Sequence, residues 1–323
     1  MYETFYGLRE RPFDLTPNPR FLLLTTRHRE ALSNLLYGLT SRRGLTLLIG
    51  EAGTGKTTLI RTVMQDFERQ GVRIAYLNNP TLTRPEFCEF LAEAFSLNHG
   101  AGSSKTRLLI ELARVLEQRR AAEQQTGLIL DESQALPDEL LEEVRLLANI
   151  ETTSDKLLPI VLCGQPELAD RLNQPSLRQL KQRVALRCEL APLDGRETAE
   201  YIAGRIRVAG GNSVLVFTRQ AVEVIYQHSR GIPRLISVIC DNALITGFAA
   251  DVRPVSREIV EGVCRDFDLL NKDEPARGGA VPHAPLSHEP ARPPSAAPDA
   301  AKAPGRTRSL FEHFSVRRRF SLF

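Results

Sequence analysis

The chain has 323 residues, which is enough for two packed domains and a further segment. Hydrophobic residues make up 42% and charged residues 25%, an ordinary globular composition that excludes a collagenous, wholly disordered or rod-like protein. The formal net charge is +3, but the nine Lys/Arg and five Asp/Glu after residue 270 leave 33 basic and 34 acidic residues before it. The charge of the first 270 residues therefore gives no argument for nucleic-acid binding.

Membrane and metal signals are weak. No apolar run reaches the roughly 18 residues that suggest a membrane span, and the N-terminus lacks the basic and apolar regions of a secretory signal. The five cysteines are odd in number and none has CxxC spacing. This pattern favours small buried hydrophobic residues in a reducing compartment over a zinc site.

Short apolar runs alternate with amphipathic stretches up to residue 193. The runs predict five strands: Leu45–Ile49, Val72–Leu77, Gly127–Leu130, Pro159–Cys163 and Val184–Leu190. The stretches between them predict helices: Thr57–Gln70, Arg84–Ser96, Lys105–Gln118, Asp138–Asn149 and Leu177–Arg183. This alternation predicts an α/β fold with a parallel five-stranded sheet covered on both faces.

The pattern changes twice after Asp194. Four helices and no strand are predicted up to residue 270, which indicates a small all-α lid: Gly195–Val208, Thr218–Ser229, Ile232–Ala249 and Ser256–Leu269. Residues 271–304 are half proline and alanine, which predicts a disordered linker. Residues 305–323 interleave four Phe with five Arg, a composition that suits docking on a protein or on a membrane surface. A basic end without any partner is the alternative.

The run Gly50–Thr57 matches the phosphate-loop pattern GxxxxGK[ST] at every fixed position. It follows a predicted strand and opens a predicted helix, so its backbone N–H groups can surround phosphates at a helix N-terminus. Lys56 is expected to reach the β- and γ-phosphates, and the Thr57 hydroxyl is expected to bind Mg²⁺. We expect nine residues to contact the nucleotide: Gly50, Glu51, Ala52, Gly53, Thr54, Gly55, Lys56, Thr57 and Thr58.

Two carboxylates follow the strand that ends at Leu130. Asp131 is expected to hold Mg²⁺ through water, and Glu132 is expected to orient and deprotonate an attacking water. A second acid beside the metal ligand indicates hydrolysis of the nucleotide rather than transfer of its phosphoryl group to another substrate. The pair lies seventy-five residues beyond Lys56, across an alternating strand and helix pattern, and this context strengthens the assignment.

Four further polar residues are candidates for the site. Gln165 follows the fourth strand and is expected to reach the γ-phosphate or the water. Arg178 and Arg183, placed on the helix before the fifth strand, are each candidates for an arginine finger that completes a neighbouring subunit's site. Arg234 opens a lid helix and is expected to fold over the γ-phosphate. The alternatives are that Gln165 is only a turn residue and that the three arginines are only solvated surface charges.

With these residues assembled, the sequence resembles an AAA+ ATPase. Its opening Tyr2–Phe13, the later Pro17–Phe21 and His28–Leu32, and the boxes Leu130–Gln134 and Gly164–Leu168 are similar to the bacterial general secretion ATPases of the ExeA/GspA type. That family includes a branch found with exosortase and exopolysaccharide loci. The resemblance covers roughly residues 1–268.

This resemblance implies an ATP- and Mg²⁺-dependent protein that drives or controls an envelope export machine, works as a homo-oligomer or ring, and acts in the cytoplasm or at the inner membrane. Residues 1–43 would pack beside the nucleotide and help frame the adenine, 44–193 would form the ATPase core, and 194–270 the lid. Longer members carry a membrane span and a peptidoglycan-binding region after the lid, where this chain has only the linker and residues 305–323.

Two other functions remain open from the sequence. A DNA-handling AAA+ protein such as a transposition regulator shares the same core, although the charge balance of the first 270 residues weighs against it. A nucleotide switch with slow turnover is the other, and the retention of both Asp131 and Glu132 argues against that.

Overall fold

The structure is a computed structural model that describes residues 1–267, except for 17, 42–43, 79–80, 99 and 154. The linker predicted over 271–304 and the Phe/Arg segment 305–323 lie outside the described residues. So does the predicted end of the last lid helix at Leu269. Within the described part, no helix combines the length and the apolar character needed to cross a membrane.

The centre of the molecule is one five-stranded sheet in the order β2-β3-β4-β1-β5. All of its neighbouring strands run parallel. The strands are β1 (Leu45–Gly50), β2 (Arg73–Leu77), β3 (Thr126–Leu130), β4 (Ile160–Gly164) and β5 (Val184–Leu190). The predicted α/β fold is confirmed, and each strand lies within one residue of its predicted position.

Helices cover both faces of this sheet. One face packs against α4 (Arg84–Ala94), α5 (Lys105–Ala121), α6 (Asp138–Leu147) and α7 (Pro166–Leu172). The other face packs against α2 (Thr26–Thr40) and α3 (Lys56–Arg69). Because β1, β3 and β4 are buried on both sides, their sequences are mostly apolar instead of alternating between polar and apolar residues.

The lid has a separate hydrophobic core formed by α9 (Gly195–Val208), α10 (Arg219–Ser229), α11 (Pro233–Ala249) and α12 (Arg257–Asp266). The stretch that precedes α2, residues 1–25, is called the N-terminal segment. It contributes side chains to this core, among them Tyr2, Tyr6 and Phe13. The Tyr2 hydroxyl donates a hydrogen bond of 2.5 Å to Asp241 Oδ1, and the Tyr6 hydroxyl donates one of 3.1 Å to the Val252 carbonyl. The N-terminal segment therefore packs on the lid before the chain enters α2 on the sheet.

Several elements differ from the sequence-based expectation. The helices α1 (Tyr2–Phe5), α2 and α7 were not predicted. The stretch predicted as one helix over Leu177–Arg183 consists of a 3₁₀ turn, Pro175–Leu177, followed by the four-residue helix α8 (Arg178–Lys181). The helix ends at the Gln182 cap, so the prediction that places Arg183 on it is wrong.

Candidate nucleotide-binding site

The phosphate loop connects the end of β1 to the start of α3. Gly53 and Gly55 have φ values of +83° and +101°, which side-chain-bearing residues rarely adopt. Gly53 also lies against the lid, because a Cβ added there would come within 2.7 Å of Arg234 Cβ. These glycines allow the backbone to turn around an anion at the N-terminus of α3, where unpaired N–H groups and the helix dipole favour negative charge.

Lys56 is buried at the base of this loop. Its Nζ donates hydrogen bonds to the Gly50 carbonyl at 2.7 Å and to the Glu51 carbonyl at 3.0 Å. An ammonium group has three donors, so two of them fix the lysine to the loop and one remains for a phosphate oxygen. The predicted partner of the β- and γ-phosphates thus lies inside the loop.

Thr57 and Asp131 meet across the site although they are 74 positions apart. The Thr57 hydroxyl donates a 2.8 Å hydrogen bond to Asp131 Oδ2, and the Tyr76 hydroxyl donates one of 3.2 Å to the same oxygen. Burial and the Asp131 carboxylate raise the pKa of Tyr76, which keeps its hydroxyl protonated as the donor. A hydroxyl and a carboxylate beside a phosphate loop fit Mg²⁺, which takes one or two protein oxygens together with phosphate oxygens and water.

Glu132 lies next to Asp131 in a left-handed conformation with φ +52°. Its Oε2 accepts a hydrogen bond of 2.6 Å from Gln134 Nε2 and one of 3.3 Å from Gln165 Nε2. Gln165 therefore contacts the carboxylate expected to be the base. Glu132 reaches the same cavity as the phosphate loop.

The cavity has a volume of about 310 Å³ and is lined by three parts of the chain. The phosphate loop forms one wall, the N-terminal segment around Phe21 a second, and the lid residues Tyr201 and Arg234 a third. The backbone N–H of Arg234 donates a 3.2 Å hydrogen bond to the Gly53 carbonyl. The lid thus touches the phosphate loop directly.

Arg178 and Arg183 are not among the residues that line this cavity. Both are exposed, and Arg183 immediately precedes β5, whose first residue Val184 pairs with Leu45 at the start of β1. The phosphate loop follows the other end of β1. Any contact between Arg183 and a nucleotide therefore requires a second molecule.

Sequence reasoning assigned no role to three residues of the site. Tyr76 lies on β2, and its contact with Asp131 follows from the pairing of β2 with β3, in which Leu77 lies opposite Leu130. Gln134 lies two residues beyond Glu132, a spacing that could have drawn attention to it. His28 is buried at the start of α2, with its Nδ1 2.8 Å from Thr25 Oγ1. Burial lowers the pKa of His28, which also hydrogen-bonds to the Thr54 backbone.

Solved structures similar to this chain share its fold. The ORC2 protein of Aeropyrum pernix superposes with a TM-score of 0.59 at 17% identity, over 80% of this chain and 71% of that chain. Cdc6p of Pyrobaculum aerophilum gives 0.60 at 17% identity, over 79% and 70%. A Walker-type ATPase of Pyrococcus abyssi gives 0.54 at 21% identity, over 73% and 72%.

Sequence comparisons give a closer relationship. A family model described as an AAA domain matches residues 39–172. General secretion pathway protein A of Aeromonas hydrophila is 43% identical over 263 residues, which are 81% of this chain and 47% of that protein. The chain thus spans about half the length of this curated relative. With this identity across four-fifths of its length and an AAA-type ATPase fold, the chain belongs to the family of general secretion pathway protein A.

Proposed function

We propose that this protein hydrolyses ATP with Mg²⁺ and uses the energy to drive or regulate assembly of a bacterial envelope secretion or exopolysaccharide export system. The observation that carries the catalytic part is the 2.8 Å contact between Thr57 and Asp131 at the phosphate loop, with Glu132 opening on the same cavity. The similarity to a secretion pathway protein supports the cellular part.

The reaction is an in-line attack of water on the γ-phosphorus. The water oxygen forms a bond to phosphorus, the bond to the oxygen bridging the β- and γ-phosphates breaks, and Glu132 accepts the water proton. Lys56 neutralises charge on the phosphates. Thr57 and, through water, Asp131 would hold Mg²⁺, which would supply charge stabilisation. Gln165 orients Glu132 or the water, and Arg234 carries the nucleotide state to the lid.

A complete site requires an oligomer in this proposal. Arg183, or alternatively Arg178, reaches the γ-phosphate of a neighbouring copy as an arginine finger. The protein then works as an ATP-dependent homo-oligomer or ring at the cytoplasmic side of the inner membrane. Residues 305–323 are proposed to recruit the envelope partner or the membrane surface.

The test is ATP turnover by the purified full chain. Glu132→Gln should abolish turnover and keep ATP bound, whereas Lys56→Ala should weaken ATP binding itself. Normal hydrolysis by Glu132→Gln would show that Glu132 is not the base. A wild-type protein that binds ATP without measurable turnover would favour a slow nucleotide switch.

The same assay with long duplex DNA separates the secretion function from a DNA-handling function. Stimulation of several-fold that disappears as salt is raised would indicate phosphate contacts and would favour DNA handling. Turnover that is indifferent to DNA supports the secretion role. The balance of 33 basic and 34 acidic residues in the first 270 leads us to expect indifference.

A further inference from the structure

Gln134 joins the two polar residues that follow neighbouring strands of the sheet. Its Nε2 donates to Glu132 Oε2 at 2.6 Å, and its Oε1 accepts from the Gln165 backbone N–H at 3.1 Å. The two bonds define the orientation of the amide. A flipped amide would set its oxygen against the carboxylate and its NH₂ against another donor, and both arrangements are repulsive.

The backbone around Gln134 holds the side chain in this place. Glu132 adopts φ +52° and ψ +36°, and the chain then forms the 3₁₀ turn Ser133–Ala135, which brings the side chains of Glu132 and Gln134 together. Arg171 on α7 donates from Nη1 to the carbonyls of Gln134 at 2.8 Å and Leu136 at 2.7 Å. These hydrogen bonds hold the 3₁₀ turn in place against α7, the helix that begins directly after Gln165.

The end of β4 also leaves room for this amide. Gly164 has no side chain, and a Cβ added there would lie 2.9 Å from Gln134 Oε1. Any larger residue would therefore push Gln134 away from the Gln165 N–H. The two strand ends are thus shaped to accept a glutamine between them.

We propose that Gln134 is the positioning residue of Glu132, an inference that rests on the proposed ATPase function. Gln134 and Gln165 both donate to Oε2 of Glu132. This orientation directs the other carboxylate oxygen, Oε1, toward the attacking water, and Oε1 accepts no hydrogen bond from the described residues. Gln134 acts through Glu132 and does not touch the nucleotide. Displacing a reacting group by about 1 Å costs up to about a hundredfold in rate. The hydrogen bond from the Gln134 side chain to Glu132 therefore affects kcat and not ATP affinity.

The first experiment measures kcat, KM and ATP affinity, the last with a fluorescent ATP analogue, for the full chain. Gln134→Met keeps the volume and removes both hydrogen bonds, and we expect kcat to fall about 10- to 100-fold with KM and affinity within twofold of wild type. Gln174→Met, an exposed position, is the matched control and should leave all three values unchanged.

A second variant separates positioning from support of the turn. Gln134→Glu keeps the acceptor for the Gln165 N–H but sets a carboxylate against Glu132, so it should lower kcat at least as much as Gln134→Met. If Gln134 only supported the Gln165 backbone, Gln134→Glu would keep the wild-type kcat. Wild-type kcat in Gln134→Glu would overturn the proposal, and thermal unfolding of each variant verifies that the fold is retained.

A double-mutant cycle tests whether Gln134 acts through Glu132. In single-turnover reactions, adding Gln134→Met to Glu132→Gln should leave the residual rate unchanged, and a further drop equal to that in wild type would overturn the proposal. The proposed function would fail in a different way: wild type would bind ATP without measurable turnover, and the positioning role, which rests on it, would fail with it. Equal hydrolysis by wild type and Glu132→Gln would show that Glu132 is not the base and would overturn the positioning role alone. Active wild type with an unaffected Gln134→Met refutes only the positioning role.

Discussion

Tyr76 and Thr57 share one carboxylate oxygen of Asp131, and the two donors arrive from different elements, β2 and α3. In the proposed site, Thr57 would turn from Asp131 toward Mg²⁺, whereas Tyr76 would keep its hydrogen bond and hold the carboxylate in place. Hydrogen-bonded neighbours of a metal ligand commonly account for about 10- to 100-fold in metal affinity.

We therefore expect Tyr76→Phe to weaken Mg²⁺ binding about tenfold and leave maximal turnover at saturating Mg²⁺ nearly unchanged. Titration of Mg²⁺ in the turnover assay gives the half-saturation concentration directly. Tyr37→Phe, which removes a hydroxyl from an exposed tyrosine on α2, is the control. An identical Mg²⁺ dependence in wild type and Tyr76→Phe would show that Tyr76 does not orient the metal ligand.

His28 gives an expected dependence of stability on pH. Burial lowers its pKa in the folded protein, so the unfolded chain, with a histidine pKa near 6.5, takes up a proton first as the pH falls. The free energy of unfolding should then decrease below about pH 6.5, by up to about 1.4 kcal/mol per pH unit until the folded pKa is passed. Above pH 6.5 this contribution is constant.

Urea unfolding at pH 7.5 and pH 5.5 tests this expectation. The variant His28→Gln removes the titrating group, so its loss of stability between the two pH values should be smaller than that of wild type. Equal losses in the two proteins would mean that His28 does not contribute to acid destabilisation.

At the scale of elements, the N-terminal segment belongs to the lid core. Tyr6 is 1% exposed, and its ring meets Phe5 edge-on while its hydroxyl reaches the Val252 carbonyl. Desolvation on burial raises the pKa of Tyr6 to about 12, in agreement with a neutral hydroxyl among apolar neighbours. The segment from Phe21 to Leu23 then lines the nucleotide cavity before the chain enters α2.

Removing the Tyr6 ring should destabilise the lid. Truncation of a large buried aromatic residue costs about 3–5 kcal/mol, so Tyr6→Ala should lower the free energy of unfolding by an amount in this range. Tyr6→Phe, which loses only the hydrogen bond to Val252, should cost about 1 kcal/mol. Urea unfolding followed by circular dichroism measures both, and a loss below 1 kcal/mol for Tyr6→Ala would show that the segment does not support the lid.

The elements also show which parts of the fold the sequence could predict. Strands buried on both faces form apolar runs such as Ile160–Gly164, and their positions follow from these runs alone. The sequence of helix α2 carries two local signals: the capping residue type at Thr25, directly before the helix, and Ala31, Leu35 and Leu39, which repeat every four residues. In the structure Thr25 accepts a hydrogen bond from the His28 N–H, and the three apolar residues are buried. The contact of Tyr2 with Asp241 spans 239 positions, and no local pattern indicates it.

The site divides in a similar way. The phosphate loop could be predicted because glycines, a lysine and a threonine at fixed spacing satisfy one chemical requirement within eight residues. The orientation of Gln134 depends on the left-handed Glu132, on Arg171 and on the space at Gly164, which come together only in the folded chain. The placement of Arg183 beyond the end of α8 depends on where a four-residue helix ends, a detail that periodicity does not resolve.

For the whole molecule, the end of the sheet opposite the phosphate loop is the place where a second copy is proposed to act. Arg183 is exposed there, just before the edge strand β5, and it lies outside the cavity of its own chain. If it is an arginine finger, each active site combines the Glu132 of one subunit with the Arg183 of the next. The catalytic base and the arginine finger of one site can then come from different chains.

Mixing two inactive variants tests this arrangement. Arg183→Ala and Glu132→Gln should each bind ATP and each lose turnover, because every interface in either protein lacks one component. In a random equal mixture about a quarter of the interfaces pair an intact Glu132 with an intact Arg183, so about a quarter of wild-type turnover should return. Arg178→Ala in the same mixture is the matched control, since it shares the same exposed region. Arg178→Ala should keep turnover on its own and therefore give about half of wild-type turnover in its mixture with Glu132→Gln. Wild-type turnover by Arg183→Ala alone, or a mixture of Arg183→Ala with Glu132→Gln that stays inactive, would exclude Arg183 as the finger. Loss of turnover by Arg178→Ala alone, with about a quarter of wild-type turnover returning in its mixture, would assign the role to Arg178.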